Sequence, residues 1–301
     1  MAYGVLVVLN MKKIIQKSSK IILSILTLIF CTFLFADLAY AAAVYDQRPI
    51  LIISDIDDTI KVSEVLTPFV VLRAADTNTP FAGMANLYQL LVNENPDRTK
   101  VFYLSNAPKE ILGLEPMRIS HQALLNNNHF PKGELILRQS IQDEGHKNRT
   151  IRELVKKYNP SKVIMFGDNG EKDVFTYSIA ASELKTLKIE THTYIHQLYS
   201  ASNILPFKRG QALLAGQVGF ATPIEVGIDL VQKKQMSQDN LNILFKLSAS
   251  YIMNEDSYKI DAFSAISFPF FKDCSDFQWL ASWPLNNQTW DYMQFLEEKC
   301  H

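Results

Sequence analysis

Three short apolar runs constrain most of what this chain can fold into. They are Ile50 to Ser54, Lys100 to Leu104 and Lys162 to Phe166, and each gives way at once to a polar group: Asp55, Ser105 and, past a glycine, Asp168. Runs this short and this rich in Ile, Val, Phe and Met read as strands buried on both faces. Between them lie stretches of helical spacing: Met84 to Val92, Lys109 to about Asn127 despite Pro116, Arg149 to Tyr158, and Asp173 to Ala181. Glu134 to Leu137 and Leu187 to Tyr194 read as further strands. Strands alternating with helices predict an α/β fold, a Rossmann-like parallel sheet with helices on both faces. Such sheets bind ligands beyond the carboxyl ends of their strands, which is where Asp55, Ser105 and Asp168 fall.

The flanks read differently. Lys12, Lys13, Lys17 and Lys20 precede an apolar run from Ile21 to Phe35, and small residues follow up to Ala43. This is the layout of a secretory signal peptide over residues 1–43, with Met11 an alternative start, and it predicts an exported protein, periplasmic or secreted. The sheet domain is expected over 44–206. From about Phe207 the pattern changes: Thr222-Pro223-Ile224-Glu225 is a capping-box helix start, and the helix to about Met236 is expected to pair with Asn240 to Met253 as a hairpin. Phe263 to His301 forms an aromatic-rich extension, expected to pack on the domain, with lipid contact the other reading. Cys274 and Cys300, the two cysteines left after cleavage, are expected to pair in an exported protein. With 301 residues, 48% hydrophobic and a net charge of −1, the chain can build a sizeable core and carries no global basic field for nucleic acid.

The chemistry concentrates in Asp55-Ile56-Asp57-Asp58-Thr59. Alternation along a strand puts positions 55 and 57 on one side, so two carboxylates are expected to converge. Like charges at short range raise each other's pKa unless a cation neutralises them. Such a pair suits a nucleophile, a proton-transfer group and a hard metal ion. Lys147 stands in GHKNRTIREL just before a predicted helix, and Asp168 and Asp173 stand in FGDNGEKD. His192 and His196 read as a structural pair, since no third ligand is evident.

Taken together, SDIDDTIK, YLSNAP, GHKNRTIREL and GDNGEKD resemble the four motifs of the haloacid dehalogenase superfamily of phosphohydrolases, over roughly Ile50 to Tyr194. With LILR added, the wording further resembles the catalytic domain of the actin-patch-associated phosphatidate phosphatases and their bacterial relatives. The resemblance implies that Asp55 attacks phosphorus and that Asp57 protonates the leaving alkoxide and then deprotonates water. It implies Mg²⁺ held by the Asp55 carboxylate, the Asp57 backbone carbonyl and Asp168, with Ser105 and Lys147 gripping phosphate oxygens. Asp173 would steady the metal waters or Lys147, Thr59 would brace the turn, and Asn106 or Asp58 would touch substrate or its surroundings. An acid at position 57 distinguishes the chain from the metal-independent dehalogenases. The function implied is an exported Mg²⁺-dependent phosphatase acting on phosphatidate or a related lipid phosphate, at a membrane surface. The alternatives are a broad-specificity exported acid phosphatase acting on nucleotides and a non-catalytic binding protein on this scaffold.

Overall fold

The computed structural model describes residues 46–63, 65–66, 78–111, 113–140, 142–205, 209–254, 273–284 and 286–301, together with Ser24, Thr27, Phe30 and Cys31, which are helical. The lysine patch, the cleavage motif, Phe263 to Phe271 and residues 67–77 lie outside the described residues. Arg48–His301 forms one compact unit.

Six parallel strands form the sheet: β1 (Ile50–Ser54), β2 (Thr99–Pro108), β3 (Glu134–Arg138), β4 (Lys162–Asp168), β5 (Glu190–His196) and β6 (Gln217–Phe220). Their order is β3-β2-β1-β4-β5-β6. The described helices are α1 (Met84–Glu94), α2 (Pro116–Asn127), α3 (His146–Tyr158), α4 (Asp173–Thr186), α5 (Pro223–Gln232), α6 (Gln238–Ile252) and α7 (Asn287–Cys300).

The apolar runs become strands because both of their faces are covered. Leu51, Ile53, Phe102, Leu104, Val163 and Met165 pack with Ile151 and Leu154 of α3 and Val174 and Tyr177 of α4. Ile52, Tyr103, Ile164 and Phe166 point the other way, into a core with Leu87 and Tyr88 of α1, Ile228 of α5 and Leu244 of α6. Each such side chain contributes about 1.5–3 kcal/mol by leaving water. The period-two split across β1 therefore assigns the α3–α4 face to odd-numbered residues.

Four features depart from the sequence reading. The helix expected from Lys109 begins at Pro116, because a proline fits the first helical position, where no N–H partner is needed, and not the interior. Helix α3 begins at His146, so Lys147 sits in its first turn and not ahead of it. The strand expected from Leu187 begins at Glu190 and runs to His196. Strand β6 extends the sheet beyond residue 206; its four residues, one of them Gly219, carry too little pattern to be read.

The α5–α6 hairpin forms as expected, and Thr222 and Glu225 make the capping box. Cys274 and Cys300 form a disulfide. Among the described aromatics of the extension, Phe277, Trp283 and Tyr292 are buried in the core. Trp290 is half exposed. No helix among the described residues is long and apolar enough to cross a membrane.

Candidate active site

Strand register brings the polar groups level. Ser54 pairs with Tyr103 on β2 and with Phe166 on β4, so Asp55, Ser105 and Asp168 stand within two residues of the same row. The sheet grows in opposite directions from β1 and β4, and the crevice at such a switch point is where α/β sheets bind ligands.

Asp55 is buried, and its carboxylate is gripped from two sides. Lys147 Nζ donates to Oδ1 at 2.6 Å and Thr59 Oγ1 donates to Oδ2 at 3.2 Å. Lys147 also donates to Asp173 Oδ1 at 2.5 Å. Asp168 Oδ1 accepts the N–H groups of Gly170 and Glu171, at 2.6 and 3.1 Å. The second oxygens, Asp168 Oδ2 and Asp173 Oδ2, are buried with no hydrogen-bond partner among the described residues. Asp55, Asp168 and Asp173 each offer one oxygen within 4.8 Å of the others. Gly167 permits this approach: a Cβ there would lie 2.6 Å from Asp173 Oδ2 and from the Tyr177 ring.

The charge is out of balance. Three carboxylates share this buried space with the Lys147 ammonium, which touches Asp55 and Asp173, so acids outnumber it there. Burial, then neighbouring acids, push Asp55 and Asp168 well above the ordinary carboxylate range, against the pull of Lys147 on Asp55. Burial also raises Asp173. Burial disfavours the Lys147 ammonium, yet Asp173 and Asp55 together hold it charged well above the usual lysine pKa. Hard divalent cations take oxygen ligands of this kind, so the residues present fit one.

Asp57 is elsewhere. Strand β1 stops at Ser54 and the chain turns at Asp58, whose φ is 57°, so the expected alternation does not carry to position 57. The Asp57 carboxylate accepts from Ser63 Oγ at 2.6 Å and lies 3.3 Å from His121 Nε2 and 3.8 Å from Lys61 Nζ. Burial acts to raise its pKa, but His121, Lys61 and Ser63 outweigh it and hold the group well below the ordinary value. The third acid beside Asp55 and Asp168 is Asp173, which the sequence reading had only in support.

Ser105 is buried, and its Oγ accepts the Ala107 N–H at 3.0 Å, which leaves the hydroxyl proton to donate. Asn106 reaches Glu171 Oε2 at 3.4 Å. Asp58 is buried and accepts from the N–H groups of Ser63 and Val65 and from the Tyr199 hydroxyl, so it ties the loop down. His192 and His196 are not paired with each other. His192 meets Glu190 at 2.9 Å, and His196 lies between the carbonyls of Asp58 and Ala221.

Residues 50–189 match the family model described as the catalytic domain of phosphatidate phosphatase APP1. That stretch is similar to the family's catalytic domain. It is a phosphatase domain, and the fold beneath it is the parallel α/β sheet expected of haloacid dehalogenase-like phosphohydrolases. No curated protein matches the chain. Among solved structures, the class C acid phosphatase from Bacillus anthracis with tungstate bound is similar at 14% identity and a TM-score of 0.34, over 51% of this chain and 69% of that one.

Within the phosphatase domain, sequence reasoning missed Lys61, Ser63, His121 and Glu171. One signal was available for His121. It occupies a buried position of α2 in the series Met117, Ser120, His121, Leu124 and Leu125, where an apolar residue would be ordinary.

Proposed function

We propose that this chain is an exported, Mg²⁺-dependent phosphatase that cleaves a phosphate monoester through an aspartyl-phosphate. The observation that carries the reading is the buried grouping of Asp55, Asp168 and Asp173, with Lys147 bonded to Asp55 and Asp173 and with two carboxylate oxygens lacking a hydrogen-bond partner among the described residues. An Asp55 oxygen bonds to phosphorus as the bond from phosphorus to the leaving oxygen breaks, and Asp57, ionised in the resting site, gives that oxygen a proton it has first taken up from solvent. Asp57 then takes a proton from water as the water oxygen bonds to phosphorus and the Asp55–phosphorus bond breaks. Ser105 and Lys147 hold the remaining phosphoryl oxygens. Asp55, Asp168 and the Asp57 carbonyl, with Asp173 beside them, would hold the Mg²⁺, which supplies charge neutralisation to those oxygens.

The family description favours phosphatidate or a related lipid phosphate as substrate. One observation favours a hydrophilic alcohol instead. A cavity of about 380 Å³ beside the site is lined by Asn106, Arg138, Glu144, Gly170, Glu171, Lys172 and Gln211, with no large apolar side chain among these residues. The Cys274–Cys300 disulfide and the lysine-led apolar N-terminus support export.

The test is phosphate release from short-chain phosphatidate, nucleotides and sugar phosphates with Mg²⁺, with Asp55→Asn run beside the wild type. Release by the wild type alone supports the covalent mechanism, and the preferred ester fixes the substrate class. No release from any ester leaves the non-catalytic reading.

A further inference from the structure

The Asp57 carboxylate is surrounded by groups that the phosphatase reading does not use. His121 and Lys61 are both fully buried. His121 Nε2 lies 3.3 Å from Asp57 Oδ2, and neither of its ring nitrogens makes another hydrogen bond among the described residues. Buried polar atoms without partners are rare in folded proteins, and a leucine would fill this position on α2 without that penalty. The Asp57 carboxylate is the polar neighbour that gives the imidazole a reason to be there. Lys61 Nζ lies 3.8 Å from Asp57 Oδ1 and donates to Ser120 Oγ at 3.0 Å, so α2 holds both groups, His121 directly and Lys61 through Ser120. Ser63 Oγ completes the cradle at 2.6 Å.

The cradle separates two acids that sit two residues apart. The Asp55 side chain is 4% exposed and bound to Lys147, whereas the Asp57 side chain is 18% exposed and faces a different set of partners. The more open acid is the one able to meet a leaving group. A carboxylate left to rotate freely here would be drawn toward Lys147 or any cation beside Asp55. Resting on the reading above, we propose that His121 and Lys61 are positioning residues that hold the Asp57 carboxylate against the leaving-group oxygen and away from the Asp55 cluster. Neither need touch substrate.

The readout is dependence on the leaving group. p-Nitrophenyl phosphate and phenyl phosphate are similar in shape but differ in how much the departing oxygen needs a proton. kcat/KM reports the step in which that oxygen leaves. For His121→Leu we expect kcat/KM on phenyl phosphate to fall about 10–100-fold, the scale of positioned proton transfer. On p-nitrophenyl phosphate it should fall less than about 3-fold, with KM unchanged. His121→Gln, which keeps an N–H donor at similar reach, should stay within about 5-fold of wild type on both esters. Lys61→Met should repeat the phenyl-selective loss, which keeps the test open if His121→Leu does not fold by circular dichroism. On an Asp57→Asn background, His121→Leu should cost nothing further.

Equal losses on both esters would make the cradle merely structural and overturn the proposal. So would losses that multiply with Asp57→Asn, or no loss at all. A wild type active on both esters, with Asp57→Asn indifferent to the leaving group, overturns the role given to Asp57 and this proposal with it. A wild type inert on both overturns the phosphatase reading itself.

Discussion

Glu225 and Asp168 are both buried acids, and their surroundings differ in one respect. Both oxygens of Glu225 are used: Oε1 accepts the N–H groups of Ala221 and Thr222, and Oε2 accepts the Thr222 hydroxyl, itself bonded to Tyr292 at 2.7 Å. Asp168 has two N–H groups on one oxygen, Asp173 beside it has the Lys147 ammonium on one, and the other oxygen of each has no hydrogen-bond partner among the described residues. At the start of α5 the protein completes the acid with its own donors. At the crevice between β1 and β4 it stops short on two acids at once, with a third adjacent. Buried polar atoms without partners are rare, and two carboxylate oxygens together make a place that a divalent cation would fit.

The largest expected effect tests whether the crevice is chemical at all. Asp55→Asn should lower phosphate release by at least about 10⁴-fold, since the nucleophile itself is lost. Substantial residual turnover would reduce the crevice to another structural acid site. Removal of divalent cation comes next. Chelation should abolish turnover, and Mg²⁺ at about 100 times its Kd should stabilise the fold by about 2.7 kcal/mol, read as a rise in Tm. Asp168→Asn should lose that rise while making the metal-free protein more stable, because one uncompensated charge is gone.

Glu225→Ala should do the reverse. It strands donors that now have partners and should cost about 1–3 kcal/mol, by denaturant unfolding, with or without Mg²⁺. If Asp168→Asn and Glu225→Ala shift stability in the same direction, the contrast fails. The smallest effect is in pH. Burial raises Asp55 and Asp168, and it raises Glu225 to about 7, so the folded metal-free protein binds more protons than the unfolded chain. Stability should therefore fall as pH rises out of the ordinary carboxylate range and through about 7. Mg²⁺ should remove the part due to Asp55 and Asp168 and leave the part due to Glu225, which thermal melts between pH 5 and pH 8 would resolve.

The strands that build the crevice were legible because their runs are buried on both faces and so continuously apolar. The polar residues that end them, Asp55, Ser105 and Asp168, stand out against that background. Asp57 was legible as a residue but not as a geometry. Alternation holds only while the chain remains a strand, and the strand ends at Ser54. His121 and Lys61 were not legible in this role. They meet Asp57 through a loop and a helix whose approach no local pattern encodes, and nothing nearby in sequence gives a histidine on an apolar face a partner. Strand β6 escaped for a different reason, being held by pairing with β5 and not by a hydrophobic pattern of its own.

The strand order has a consequence for the growing chain. Strands β1, β2 and β3 make one wing of the sheet and β4, β5 and β6 the other, and they meet only along the seam between β1 and β4. Asp55 belongs to the first wing, while Asp168 and Asp173 belong to the second. More than a hundred residues must emerge after the nucleophile before its companions exist. Closing so long a loop is a slow, non-local event. Until the seam closes, Asp55 stands on an open edge without the acids that complete the crevice, so the site comes into being only with the joining of the two wings.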